Sequence, residues 1–324
     1  MNTVFKRMAQ RFLGAFGLEI HRRPRQLPDQ IRMADLHLLW RHWIDPAPLR
    51  FAHIYTKNRQ IQRAVSEWIS VEALEDSLWR YGIPRNDLLV DLNQVDRDIT
   101  YTDLLSFFST FLTRPRYLEI GVSAGKNFYQ ISKQMHDALL VGLDIEEINP
   151  VLEGLYGGGT VVWKSVNVYP FTKHDGKSVG KQFTLTEYSE PENKNRVLYL
   201  SGNKFERELW ESLAGMCFNL VFSDAFHTPE SLETELELML QLKLIDSSEL
   251  IMMWDDVNEE LLPTVVSAMK TLSQRFPRNR SYAAVIDIHG TYGGGGGGLH
   301  RIALFVSDNG LLPRSDPEPV STPP

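Results

Sequence analysis

The stretch Arg116-Tyr117-Leu118-Glu119-Ile120-Gly121-Val122-Ser123-Ala124-Gly125-Lys126-Asn127 constrains this chain more than any other. A short apolar run ends beside an acid, then opens into glycines four residues apart. The next apolar run, Leu139-Leu140-Val141-Gly142-Leu143-Asp144, ends in a second acid 23 residues after Gly121. An α/β fold holds an adenosine-containing ligand in this way. Glycine lets the first strand-to-helix turn come close to the ligand, and the acid at the tip of the second strand takes the ribose hydroxyls.

The glycine pattern is G-x-x-x-G rather than G-x-G-x-x-G, and Glu119 stands two residues before the first glycine. A dinucleotide needs a helix N-terminus open to its pyrophosphate. A carboxylate there would repel the pyrophosphate and would suit a cation. S-adenosylmethionine (SAM) is cationic at sulfonium and amine and carries no phosphate. On this reading Glu119, Gly121, Ser123, Gly125 and Asp144 are the cofactor-binding candidates.

From residue 117 onward, strand-length apolar runs at 117–122, 139–145, 197–200, 218–223, 250–254, 283–288 and 301–306 alternate for the most part with helical patterns. That alternation predicts an α/β fold with a mostly parallel sheet covered on both faces. The last two runs are separated by the glycine tract 293–298 and no helix, so an antiparallel hairpin is expected there. Residues 1–27 form an amphipathic segment, 28–113 read as a helical accessory or lid region, and 114–308 form the main domain. An inserted hairpin or lid is expected at about 157–196, and a disordered proline- and serine-rich tail at 309–324.

Composition narrows the function classes. A chain of 324 residues with 43% hydrophobic content can bury a large core. A net charge of −7 gives no broad attraction to nucleic acid. The single cysteine, Cys217, excludes an intrachain disulfide framework and a cysteine-rich zinc site, and is expected as a buried, inert thiol. No apolar run reaches membrane-span length. In residues 1–25, Val4, Phe5, Met8, Phe12, Leu13 and Phe16 share a helical face, while Lys6, Arg7 and Arg11 interrupt any signal-peptide core. The expectation is a helix docked on the body of a cytoplasmic protein. Peripheral contact with an anionic membrane surface and a transit peptide are the competing readings.

Chemistry concentrates at two later strand ends. Phe218-Asn219-Leu220-Val221-Phe222-Ser223 delivers Asp224, with His227 three residues on. Leu250-Ile251-Met252-Met253-Trp254 delivers Asp255 and Asp256. Ligand crevices in open α/β sheets lie at the carboxyl ends of strands. Three carboxylates there demand a raised pKa or a cation, and an oxygen-rich set with no cysteine suits Mg²⁺ or another hard divalent ion better than zinc. Such an ion lowers the pKa of a bound hydroxyl, and a histidine can then take its proton. Each acid read singly is also consistent with a helix cap. Tyr101 and Asp103 open the helix before the first strand. Tyr101 is placed over the cofactor, and Asp103 is read as a cap.

These four elements in order resemble metal-dependent class I O-methyltransferases: the Glu-x-Gly-x-x-x-Gly turn, the second-strand Asp144, the Asp-x-x-His element and the strand-end Asp-Asp pair. The pattern is most similar to the sugar O-methyltransferases of macrolide biosynthesis, with catechol-type enzymes more distant. It covers about residues 115–308. The macrolide enzymes tend to have Glu-Asp where this chain has Asp255-Asp256. The resemblance implies a seven-stranded Rossmann-like sheet ending in an antiparallel hairpin. It also implies Mg²⁺ held by Asp224, Asp255 and Asp256, His227 as general base, and Glu119, Gly121 and Gly125 at the methionine end of SAM. Asp144 falls at the ribose and Asn203 near adenine. The implied substrate is a hydroxyl of a sugar-containing or other small natural product. A metal-independent SAM enzyme, a nicotinamide oxidoreductase and a non-catalytic SAM-binding scaffold are the alternatives. Helical extensions like 28–113 often make homo-oligomer contacts.

Overall fold

The computed structural model describes residues 44–72, 99–123, 125–172, 178–190, 192–245, 249–276, 280–289 and 299–308. The amphipathic segment 1–27, the glycine tract and the tail 309–324 lie outside the described residues, as do 28–43 and 73–98 of the helical region.

Seven strands carry the expected architecture: β1 (Arg116–Ile120), β2 (Leu139–Asp144), β7 (Asn195–Ser201), β8 (Leu220–Ser223), β9 (Glu249–Trp254), β10 (Arg280–His289) and β11 (Leu299–Asp308). Their spatial order is β10-β11-β9-β8-β1-β2-β7. The pairs β1–β2, β1–β8, β2–β7 and β8–β9 are parallel. β11 enters antiparallel to both β10 and β9, which is the expected closing hairpin. The strand order reverses at β1, between β2 on one side and β8 on the other. In open α/β sheets that switch point is where ligands bind.

The segment 157–196 does more than insert a hairpin. Strands β3 (Gly159–Lys164) and β6 (Thr184–Glu190) pair antiparallel, and β6 adds onto β7, so the sheet grows to nine strands. Between them β4 (Tyr169–Thr172) and β5 (Ser178–Lys181) form a separate two-stranded hairpin. The alternation in Thr184-Leu185-Thr186-Glu187-Tyr188 buries Leu185 and Tyr188 on opposite faces, so each face of the sheet gains apolar cover.

Helices cover both faces. On one lie α1 (Pro48–Glu72), α2 (Tyr101–Ser109), α3 (Lys126–Gln134) and α4 (Pro150–Tyr156). On the other lie α5 (Arg207–Glu211), α6 (Pro229–Gln241) and α7 (Leu262–Arg275). Thr100 caps α2 in a reciprocal capping box with Asp103, as expected for that acid. Asp103 is also fully buried, where Arg59 of α1 pairs with it at 2.6 Å and Asn58 donates to it at 2.8 Å. The middle of α1 is thereby locked to α2 by charge. Phe51 and Phe107 add an edge-on aromatic contact, with ring centroids 5.4 Å apart.

Cys217 corrects an expectation. It is half-buried rather than enclosed, at φ 48° in the turn before β8, with its thiol 3.7 Å from the Lys243 carbonyl. The chain reverses there, so the side chain stays at the rim while Phe218 goes into the core. Among the described residues, no helix is long and apolar enough to cross a membrane.

Candidate active site

The turn after β1 is built by backbone conformation. Gly121 and Gly125 sit at φ 92° and 79°, and Ser123 between them at 51°. A Cβ on Gly121 would lie 2.4 Å from the carbonyl oxygen of Asp224. Only glycine therefore lets this turn pack on the end of β8. Asp144, at the tip of β2, reaches across with Oδ2 and accepts the amides of Val122 and Ser123 at 2.9 and 2.8 Å, while Oδ1 accepts the Glu146 amide at 3.0 Å. The acid of the second strand thus shapes the glycine turn as well as facing any ligand held there.

Glu119 has a different environment from the one its sequence position implies. Strand alternation puts Tyr117 and Glu119 on the same face of β1, where Glu119 is 1% exposed. Its Oε2 accepts the Tyr117 hydroxyl at 2.6 Å and the Asn127 amide at 2.9 Å, and Thr102 of α2 donates to Asn127 Oδ1 at 2.7 Å. Burial raises the Glu119 pKa to about 8; the two hydrogen bonds oppose the rise and the charge of Asp144 adds to it. Near neutral pH this side chain is largely a protonated acid, where the sequence reading treats it as an anion.

A stability test follows. The unfolded chain ionises near the ordinary 4.5 while the folded chain keeps its proton to about 8. Stability therefore falls with rising pH across that window, at about 1.4 kcal/mol per unit for this group. Glu119→Gln keeps a carbonyl acceptor and removes the titration. Relative to wild type, its unfolding free energy should rise by about 2–3 kcal/mol between pH 5.5 and 7.5 in urea denaturation. Parallel pH dependences would refute the assignment.

The second half of the site gathers at the ends of β8 and β9, beside β1. His227 lies between two acids: Nε2 is 3.6 Å from Asp224 Oδ1 and Nδ1 is 3.3 Å from Asp256 Oδ2. Nε2 is buried with no hydrogen-bond partner. Burial and the neighbouring carboxylates of Asp255, Glu119 and Asp256 push the Asp224 pKa well up. Asp256, at φ 51° and half exposed, is pulled down by hydrogen bonds from His227 and His300. Two neighbouring acids are therefore driven in opposite directions, a pattern common in sites that manage protons.

His300 is the residue that sequence reasoning missed. Its Nδ1 lies 3.0 Å from Asp255 Oδ2 and 3.1 Å from Asp256 Oδ1, and these contacts raise its pKa to about 10. It stands at the start of β11, 45 residues after Asp255 in sequence, and reaches the acids because β11 pairs with β9. The available signal was a histidine directly behind the glycine tract, at the mouth of the last alternating run. Tyr101 does not stand open over the turn. It is 2% exposed, packs on Phe222 with ring centroids 4.9 Å apart, and meets the His300 ring edge-on at 5.9 Å.

Among the described residues, Asp255, Asp256 and His300 are brought together as donors able to share a metal ion. Asp224 lies outside that trio, on the far side of His227 from Asp256. Asn203 follows β7 in a turn where its Oδ1 accepts the Phe205 amide at 3.1 Å. Gly202, beside it, donates its amide to the Asp144 carbonyl at 2.8 Å.

A buried ion pair supports this loop from beneath. Lys204 Nζ meets Glu235 Oε1 at 2.5 Å and lies 3.4 Å from the Phe226 carbonyl, next to His227. Glu235 Oε2 accepts the Ser223 hydroxyl at 2.7 Å, one residue before Asp224.

No family model matches this chain, and no curated protein matches it. Solved structures do. The O-methyltransferase TomG from Streptomyces achromogenes, involved in tomaymycin synthesis and solved with SAM, is 15% identical; the match covers 74% of this chain and 89% of that one, with a TM-score of 0.41. An O-methyltransferase from Bacillus cereus in complex with SAH is 13% identical over 76% of this chain and 97% of that one, with a TM-score of 0.40. A spermidine synthase is 14% identical over 66% of this chain and 61% of that one, with a TM-score of 0.35. At these values the likeness is one of chain path, and it assigns no reaction and no residue role.

Proposed function

We propose that this protein is a SAM-dependent O-methyltransferase that methylates a hydroxyl of a small molecule, with sugar-containing natural products as the substrate class and His227 as general base. One observation carries the reading. The glycine turn after β1 is bounded by Asp144 on β2 and by Asp224 and His227 after β8, so a cofactor-type turn and a proton-handling cluster share one switch point.

Methyl transfer from a sulfonium is an in-line displacement in which opposite charges cancel. The protein's part is then to align the partners, exclude water and remove one proton. Asp144 takes the ribose, and the glycine turn that it braces passes the methionine end of SAM. His227 takes the hydroxyl proton, and Asp256 beside Nδ1 stabilises the imidazolium that forms. Asp255 and Asp256 at the end of β9, with His300 beside them, could hold a divalent cation, Mg²⁺ in the resemblance, which when bound would acidify and orient the acceptor hydroxyl.

Calorimetry with SAH tests the reading. Wild type should bind one equivalent, and Asp144→Ala should weaken binding roughly 100-fold, because the variant loses the ribose contact and loosens the turn that the same carboxylate holds. Asp144→Asn should fall between them. Absence of SAH binding by wild type, with and without Mg²⁺, would reject the proposal.

A further inference from the structure

The expected metal set is three aspartates, but the structure assembles a different trio. One donor atom each from Asp255, Asp256 and His300 lies within 4.8 Å of the other two. His300 Nδ1 is 3.0 Å from Asp255 Oδ2 and 3.1 Å from Asp256 Oδ1. The three donors are therefore close enough to share one ion, whose binding would replace the Nδ1 proton that the two carboxylates hold in its absence.

Separate elements hold each donor in place. Asp255 is 2% exposed at the end of β9, and its Oδ1 accepts the Asp256 amide at 2.8 Å. Asp256 turns through φ 51°. The His300 imidazole arrives from β11 and is set edge-on against Tyr101 of α2. On the other side of Asp256, His227 approaches Oδ2 through Nδ1 at 3.3 Å. Two carboxylates at the end of β9 and an imidazole arriving from β11 go beyond an acidic cluster.

Donor chemistry decides which ion fits. Carboxylates alone suit Mg²⁺, whereas an imidazole nitrogen shifts preference toward Fe²⁺, Co²⁺ or Zn²⁺. We propose that His300 is a metal ligand through Nδ1, completing with Asp255 and Asp256 a two-carboxylate, one-imidazole centre for a borderline first-row ion rather than Mg²⁺. The inference rests on the methyl-transfer reading only for what the ion does; binding is read separately.

Co²⁺ titration of the full chain, followed by visible absorption and calorimetry with Mg²⁺ as competitor, tests it. Wild type is expected to bind one Co²⁺ more tightly than Mg²⁺, with ligand-field bands. His300→Ala should weaken Co²⁺ roughly tenfold or more and leave Mg²⁺ affinity little changed, and His300→Asp should move the preference toward Mg²⁺. Circular dichroism checks that both variants fold. If neither folds, the wild-type Co²⁺ complex should still show a paramagnetically shifted, exchangeable imidazole N–H proton in its NMR spectrum. Wild type binding no Co²⁺, Mg²⁺ competing on equal terms, His300→Ala leaving both affinities unchanged, or no shifted imidazole proton would each overturn the inference. Co²⁺ binding without SAH binding would sustain the metal centre and reject the methyltransferase.

Discussion

His227→Ala is expected to lower kcat for methyl transfer by ~10²–10⁴-fold, while SAH binding stays near the wild-type value. The reason is placement. His227 is carried on the loop after β8, across the switch point from Asp144, and its ring faces Asp224 and Asp256. Its ring contacts are with Asp224 and Asp256, and not with the Val122 and Ser123 amides that Asp144 holds. Release of SAH on a panel of glycosylated and phenolic acceptors would measure it. The variant should retain KM within a small factor. A variant that turns over the same acceptor at the wild-type rate removes the base from His227. One that loses SAH affinity as steeply as activity would make the histidine a structural support.

The second large effect is on stability. Glu235→Ala should cost about 3–5 kcal/mol, because it strands the Lys204 ammonium in a buried site, where the two residues are 1% and 6% exposed. In thermal melts this is a fall on the order of 5–10 °C for a chain of this size. The double variant Lys204→Met/Glu235→Leu should cost markedly less than the sum of its parts, since apolar side chains of similar volume need no partner. A loss under about 1 kcal/mol for the single variant would show that the pair is hydrated and unimportant. The pair matters for function as well as folding. Lys204 reaches the Phe226 carbonyl and Glu235 takes the Ser223 hydroxyl, so it braces both sides of the segment that carries Asp224.

Local patterns made the sheet legible. The runs at 117–122, 139–145 and 250–254 are apolar apart from Glu119 and Asp144, as central parallel strands must nearly be when helices cover both faces. The absence of a helix between the last two runs forecast β10–β11 pairing. The Thr100–Asp103 cap was equally readable, because capping is decided within four residues. The segment 157–196 was harder. Its glycines and polar residues signalled turns, but whether a hairpin stands apart or adds to a sheet depends on the free edge of β7, which no local pattern records.

The site divides along the same line. Asp144, Asp224, His227, Asp255 and Asp256 could be nominated because each lies within a few residues of a strand end, and a parallel sheet brings such ends to one side. His300 could not, because its partnership with Asp255 depends on the antiparallel entry of β11 beside β9. Arg59 and Asp103 are likewise 44 residues apart and meet only when α1 packs on α2.

By itself the chain's order of residues settled the α/β class, the glycine turn and the strand ends where chemistry collects, since these follow from periodicity and backbone freedom over a few residues. Tertiary structure alone decided charge. Burying Glu119 away from water turns an apparent anion into an acid with a pKa of about 8, against the pull of the hydrogen bonds from Tyr117 and Asn127. Bringing His300 against two aspartates turns an unremarked histidine into a candidate ligand. Ionisation depends on desolvation and on neighbours within a few ångströms, and both are set by packing between segments far apart in the chain.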